Sequence, residues 1–137
     1  MNWEIKKKQT FIFTDQPQRI CLKEIVMSIS LNLYYTGRNG SARRFAEEME
    51  SSGTADLIRK EEGCERYEYF QPLDDPETVL LIDVWKDQKS IDIHHASEMM
   101  KKISELREKY DLQMRADRYV TDESGIPDTD KKFIKEK

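Results

Sequence analysis

Thr78 to Tyr110 reads TVLLIDVWKDQKSIDIHHASEMMKKISELREKY, and three patterns follow one another within it. TVLLIDVW is a near-continuous apolar run of the kind found in a strand buried on both faces. Asp87 is placed to cap a short helix carrying Ile91, His94 and His95. Ser97 is placed to cap a second helix, where Met99, Ile103, Leu106 and Tyr110 step by four, three and four along one stripe. Glu98–Lys102 and Glu105–Lys109 stand at i,i+4 in the favourable order on its wet side.

A strand followed by an amphipathic helix needs neighbouring strands, and the flanking sequence supplies them. Upstream, SISLNLYYT (Ser28 to Thr36) alternates and is rich in β-formers. GRNG makes a turn, Ser41 can cap a helix, and ARRFAEEMES places Ala42, Phe45 and Met49 at helical spacing. Gly53 interrupts this helix and Thr54 restarts it through ADLIRKEE, with Gly63 in a left-handed position past its end. CERYEYFQ (Cys64 to Gln71) alternates, with Tyr67 and Tyr69 on one face, and PLDDPE turns the chain into TVLLIDVW. Downstream, LQMRADRYV (Leu112 to Val120) closes as a fourth strand.

The order is β-α-β-β-α-β, a ferredoxin-like α+β fold with an antiparallel four-stranded sheet and helices on one face. Leu80, Ile82 and Val84 make one face of the third strand as apolar as Val79 and Leu81 make the other. The second face therefore needs a cover, and a homodimer built sheet against sheet is the simplest.

The chain divides into residues 1–26, a domain at 27–120 and a polar tail at 121–137. The tail carries Phe133 and Ile134 as an apolar pair that can lie on the domain or on a partner. Residues 1–26 fit no element of the β-α-β-β-α-β order. KEIVM (Lys23 to Met27) can encode a ribosome-binding sequence and spacer ahead of a start codon, so residues 1–26 are read as translated upstream sequence. The alternative is a genuine extension in which TFIFT adds an edge strand.

A chain of 137 residues, 37% hydrophobic and 36% charged, most simply makes one domain. Its net charge of −4 lacks the basic excess that nucleic acid or an anionic membrane requires. No apolar run approaches the ~20 residues that span a bilayer, and the N-terminal stretch makes a poor signal peptide. Cys21 and Cys64 have no metal-type spacing and form no disulfide framework. The expected location is the cytoplasm, with no metal or cofactor site.

Candidate site residues gather around the strand–helix corner. Asp83 and Trp85 share a strand face, because side chains repeat every two residues. A buried Asp83 needs a partner: either a structural one, Arg115 or a helix N-terminus, or a donor such as His94 or a substrate hydroxyl. Trp85 is either core or the flat wall of an aromatic pocket. His94 is either a satisfied corner histidine or a base with a pKa near ~6.5. Asn32 and Tyr34 share one face of the first strand, as Tyr67 and Tyr69 do of the second, and together they can line a polar-edged pocket. Met99 is a core filler or a pocket wall, and Arg115 is also a donor to a ligand's phosphate oxygens.

EEGCERYEYF (Glu61 to Phe70) and LLIDVWKDQKSIDIHHAS (Leu80 to Ser97) resemble the antibiotic biosynthesis monooxygenase family. The matching features are its "EpG…rYe" strand, its acid-x-Trp strand end and a helix histidine nine residues beyond the tryptophan. The resemblance implies a dimeric α/β barrel performing cofactor-free oxygen chemistry on a small electron-rich aromatic such as a hydroquinone. It further implies His94 as base, Asp83 as its orienter or a substrate anchor, and Trp85 as the wall that positions the ring. A second family histidine falls at Met99 here, and His95 does not replace it, since one step turns a helix by ~100°. The alternative is a non-catalytic dimer that binds a small aromatic or haem-like ligand.

Overall fold

A computed structural model of the chain describes residues 27–136. The two readings of residues 1–26 lie outside the described residues. β1 (Ile29–Thr36) is followed by α1 (Ser41–Ser51), α2 (Thr54–Arg59), β2 (Cys64–Phe70) and β3 (Thr78–Trp85). α3 (Gln88–His95), α4 (Glu98–Lys109), β4 (Gln113–Val120) and a single turn of helix, α5 (Asp128–Lys131), complete the elements among the described residues. The strands form one sheet in the order β2-β3-β1-β4 with every pairing antiparallel. This is the ferredoxin-like arrangement that the pattern of apolar periods predicts.

Strand parity sorts the two faces. Ile29 and Tyr35 of β1, Tyr67 of β2, and Val79, Leu81, Asp83 and Trp85 of β3 point under the helices and are buried. They meet Phe45 and Met49 of α1, Ile58 of α2, Ile91 of α3, and Ile103 and Leu106 of α4. The intervening residues Asn32, Tyr34, Leu80, Ile82 and Val84 face the other way and are only partly buried. The apolar residues Phe70 and Tyr119 are exposed on that same open face.

The helix ends differ in detail from the sequence reading. Gly40, left-handed at φ 79°, takes the N-cap place of α1 instead of Ser41. Glu77 accepts from the amides of Asn39 and Gly40 (3.1 and 2.8 Å), and Ser41 Oγ accepts from the Arg38 amide. A carboxylate thus sits at the positive end of α1, which the helix dipole favours. Ser97 occupies the N-cap of α4, but its hydroxyl turns back to donate to the His94 carbonyl at 2.7 Å. The expected Glu105–Lys109 pair does not form. Lys109 and the Tyr110 hydroxyl both donate to Glu48 across the α1–α4 contact (2.8 and 2.6 Å), where packing brings an acid closer than the helix surface does.

Gly63 does have positive φ (90°), yet α2 ends earlier, with Lys60 as its C-cap. Gly63 instead serves the turn Glu61–Cys64, closed by the Cys64 amide on the Glu61 carbonyl. A Cβ at Gly63 would lie 2.0 Å from Ser90 Oγ, so the backbone here touches α3 directly. In the tail, Phe133 is 80% exposed and does not lie on its own domain.

Candidate active site

The end of β3 brings an acid and an indole together because residues two apart on a strand share a face. Trp85 Nε1–H donates to Asp83 Oδ2 at 2.8 Å, and both residues are buried. The other carboxylate oxygen, Oδ1, finds no partner among the described residues. Burial raises the Asp83 pKa from 3.8 to about 6, and the indole N–H works against that rise.

Two residues, Lys86 and Asp87, separate β3 from α3. Asp87 Oδ1 accepts from the Ser90 amide at 2.8 Å, which caps the helix and fixes its direction. Ile91 and His94, three residues apart, then share its buried face. The His94 ring stacks on Trp85 with centroids 4.7 Å apart and planes 28° apart. His94 Nδ1 lies 3.0 and 3.2 Å from the two carboxylate oxygens of Glu61.

Burial lowers the His94 pKa, Glu61 opposes the shift, and the His95 ring beside it adds to the lowering. The net direction favours neutral imidazole at physiological pH, so the contact with Glu61 is a hydrogen bond rather than an ion pair. A carboxylate only accepts, which assigns the proton to Nδ1 and leaves the Nε2 lone pair available.

Between the sheet and α3–α4 lies a cavity of about 260 Å³. Asp83, Trp85 and His94 border it together with Leu31, Leu33, Tyr35, Tyr67, Leu81, Met100, Ile103 and Arg107. Met114 and Ala116 line it from β4 and are exposed, so it opens toward that edge of the sheet. His95 also borders it while remaining exposed. Burial holds the Tyr35 phenol up at about 12 and that of Tyr67 well above its usual value, so both hydroxyls keep their protons.

The expected site residues divide by strand parity. Asp83, Trp85, His94 and Tyr67 surround the cavity, with Tyr67 directly across the sheet from Asp83. Tyr69 shares the face of Tyr67 but stands one pair further along. It packs edge-on against Tyr67 and Phe45, and its buried hydroxyl has no partner among the described residues. Asn32, Tyr34 and Arg115 are corrected: their parity puts them on the opposite face of the sheet, where Arg115 lies 4.0 Å over the Tyr34 ring and pairs with Asp117. Arg115 therefore cannot serve Asp83. Met99 packs against the core and does not border the cavity, whereas its neighbour Met100, 100° around the helix, packs there and borders the cavity as well. Asp83 is bonded to Trp85 rather than to His94.

Tyr35 and Arg107, which border the cavity, and Glu61, which bonds His94, carried no site role in the sequence reading. Arg107 follows Met100 and Ile103 at helical spacing, and Tyr35 shares the parity of Leu31 and Leu33, so period alone would have placed both. Glu61 opens the stretch that matches the "EpG…rYe" strand, but no period relates it to His94, 33 residues away, and only the tertiary fold brings the two within a hydrogen bond. Among the described residues, no group of three or more His, Cys, Asp or Glu is arranged to hold a metal ion. No helix among them is long and apolar enough to cross a membrane.

Residues 28–106 match the family described as "Antibiotic biosynthesis monooxygenase". Among solved structures, a conserved protein from Methanosarcina mazei Go1 aligns with a TM-score of 0.60 at 26% identity, covering 68% of this chain and 91% of its own. A protein from Pseudomonas aeruginosa gives 0.62 at 22% identity, with coverage of 72% and 98%. SnoaB, a cofactor-independent oxygenase from Streptomyces nogalater, gives 0.60 at 12% identity, with coverage of 70% and 94%. The last two likenesses speak to the fold alone. No curated protein matches the chain.

Proposed function

The chain belongs to the antibiotic biosynthesis monooxygenase family, and from that membership we propose that it is a cofactor-independent monooxygenase for a small electron-rich aromatic such as a hydroquinone. The observation that carries this is the stack of His94 on Trp85 at the wall of a cavity that also receives Asp83. SnoaB, a cofactor-independent oxygenase of the same fold, lends support from outside the chain.

The chemistry follows from spin and acidity. A singlet phenol does not combine directly with triplet oxygen, whereas its phenolate is a good one-electron donor. His94 Nε2 accepts the phenolic proton, and Glu61 holds the ring and stabilises the imidazolium that forms. The phenolate passes one electron to O₂, and the resulting aryloxyl radical and superoxide combine at a ring carbon that bears hydrogen. The imidazolium returns its proton to the peroxide, and loss of water leaves a carbonyl there. One oxygen atom ends in the product and the other in water. Trp85 provides a flat wall for the ring, and the apolar lining keeps the radical pair away from solvent.

A second copy of the chain is the proposed cover for the open sheet face. The second reading, a dimer that binds an aromatic without turning it over, is favoured by Met99 standing where the family often has its second histidine. Incubation with a hydroquinone panel under air and under nitrogen separates the two. We expect product only under air, and a loss of about 10²- to 10⁴-fold in rate for His94→Ala. Oxidation by that variant at the wild-type rate would refute the base assignment, and no product from the panel would favour the binding protein.

A further inference from the structure

Strand register places a cation beside the open side of the cavity. Leu31 pairs with Asp83 on β3 and with Arg118 on β4, and Asp83 pairs with Tyr67 on β2. One level of the sheet therefore runs Tyr67, Asp83, Leu31, Arg118. The first three border the cavity, as do Met114 and Ala116, which share the strand face of Arg118 by the two-residue period. Arg118 thus lies on the helix side of β4, two residues beyond Ala116, on the edge toward which the cavity opens. Only β1 stands between it and Asp83, so the two backbones are about 10 Å apart at ~4.8 Å per strand.

Arg118 is exposed, and its charge is uncommitted. The other two arginines of the sheet, Arg66 and Arg115, pair with Glu68 and Asp117 on the opposite face. Arg118 forms no ion pair among the described residues. On its own face its strand neighbours are Ala116, Val120 and Leu31, none of them an acid. Asp83, 4% exposed, is the one acid among the described residues that border the cavity. The other bordering cation, Arg107, acts on the Tyr35 phenol, four residues along β1 from Leu31. At the level of His94 and Asp83, charge therefore passes from an acid in the inner wall to a free guanidinium at the mouth. That order repels an anionic group from the inside and holds it at the edge.

We infer that the cavity takes a hydroxylated aromatic bearing a carboxylate on a short side chain, with the ring inside near His94 and the carboxylate at the mouth on Arg118. This deepens the proposed function by naming its substrate class and rests on it for the role of His94. The guanidinium offers a planar fork of donors that matches both carboxylate oxygens. Leu31, between the two polar groups, gives the ring and its methylene an apolar floor. At about 260 Å³ the cavity falls below the ~300–1,000 Å³ usual for drug-sized ligands, so a single ring fills it and the charged end stays at the edge.

The test is calorimetric binding under nitrogen of three phenols that differ in charge at the end of a short side chain: 4-hydroxyphenylacetate, its neutral amide 4-hydroxyphenylacetamide, and cationic tyramine. Wild type should bind the anion about three- to tenfold more tightly than the amide, between the worth of an exposed ion pair and that of a hydrogen bond to a charged group. Tyramine should bind least. The net charge of −4 favours the opposite order, so a preference for the anion reports a local cation. Arg118→Gln should erase the preference, Arg118→Lys should keep part of it, and added salt should shrink it. Arg115→Gln, on the opposite face, should leave it unchanged. Equal affinity of wild type for the anion and the amide, no binding of any probe, or a preference that survives Arg118→Gln would overturn the inference. Turnover plays no part in this readout. Discrimination without oxygen consumption on the hydroquinone panel would leave the carboxylate site standing while the enzymatic reading fell, and turnover without discrimination would do the reverse.

Discussion

Replacing Asp83 by Asn should change not only how stable the protein is but how its stability depends on pH. The Asp83 carboxyl titrates near 3.8 in an unfolded chain and at about 6 in the folded one, because burial disfavours its charge. The folded chain therefore holds a proton that the unfolded chain releases. Stability from this group is complete below pH 3.8 and is lost as pH climbs through 6. Integrated over that window, the cost of the buried charge reaches about 3 kcal/mol by pH 7, of which about 2 kcal/mol accrues between pH 4 and 7. Asn cannot ionise, keeps an oxygen for the Trp85 N–H and pays none of this. Thermal melts of both proteins from pH 4 to 8 isolate the effect, since every other titrating group cancels in the difference. The melting temperature of Asp83→Asn relative to wild type should rise by about 8 °C from pH 4 to 7 and then level off. A difference that stays flat with pH, or that falls, would show that Asp83 is not desolvated and would remove the buried acid from the cavity wall.

Glu61→Gln keeps an acceptor for His94 Nδ1 but removes the charge that opposes the lowering of its pKa, so the acid limb of the pH–rate profile should move further down while kcat falls; an unmoved limb would detach Glu61 from the base. Gly63→Ala adds a Cβ that would lie 2.0 Å from Ser90 Oγ in a left-handed backbone; a loss of about 3 kcal/mol in urea unfolding is expected, and Ser90→Gly should recover part of it. Ile82→Lys places a charge in the middle of the open sheet face and should turn a dimer into a monomer in light scattering with the helical circular dichroism unchanged; a monomeric wild type would refute the sheet-against-sheet assembly.

Much of this protein is written in short-range pattern. The two-residue period puts Asp83 beside Trp85, and the helical period puts Ile91 with His94. Asp87 caps the helix between them, so the corner that borders the cavity was legible before any coordinates. The same periods carried the element order and the apolarity of both faces of β3. The face of the sheet to which each strand's two sides belong was not legible. Asn32, Tyr34 and Arg115 have impeccable spacing among themselves, yet a strand read alone does not reveal which of its sides lies under the helices. Only the register Leu31 to Asp83 and Tyr67 to Asp83 settles that.

The sequence by itself determined the elements, their order, and the groups that each element presents together, because those depend on rotation per residue within a few turns of chain. The tertiary structure alone decided that Glu61 meets His94 and that a hollow lies between the sheet and α3–α4, bordered by Asp83, Trp85 and His94. These depend on how far two surfaces stand apart. That distance is set by every side chain between them, including a glycine that lets one turn press against α3, and no local period records it.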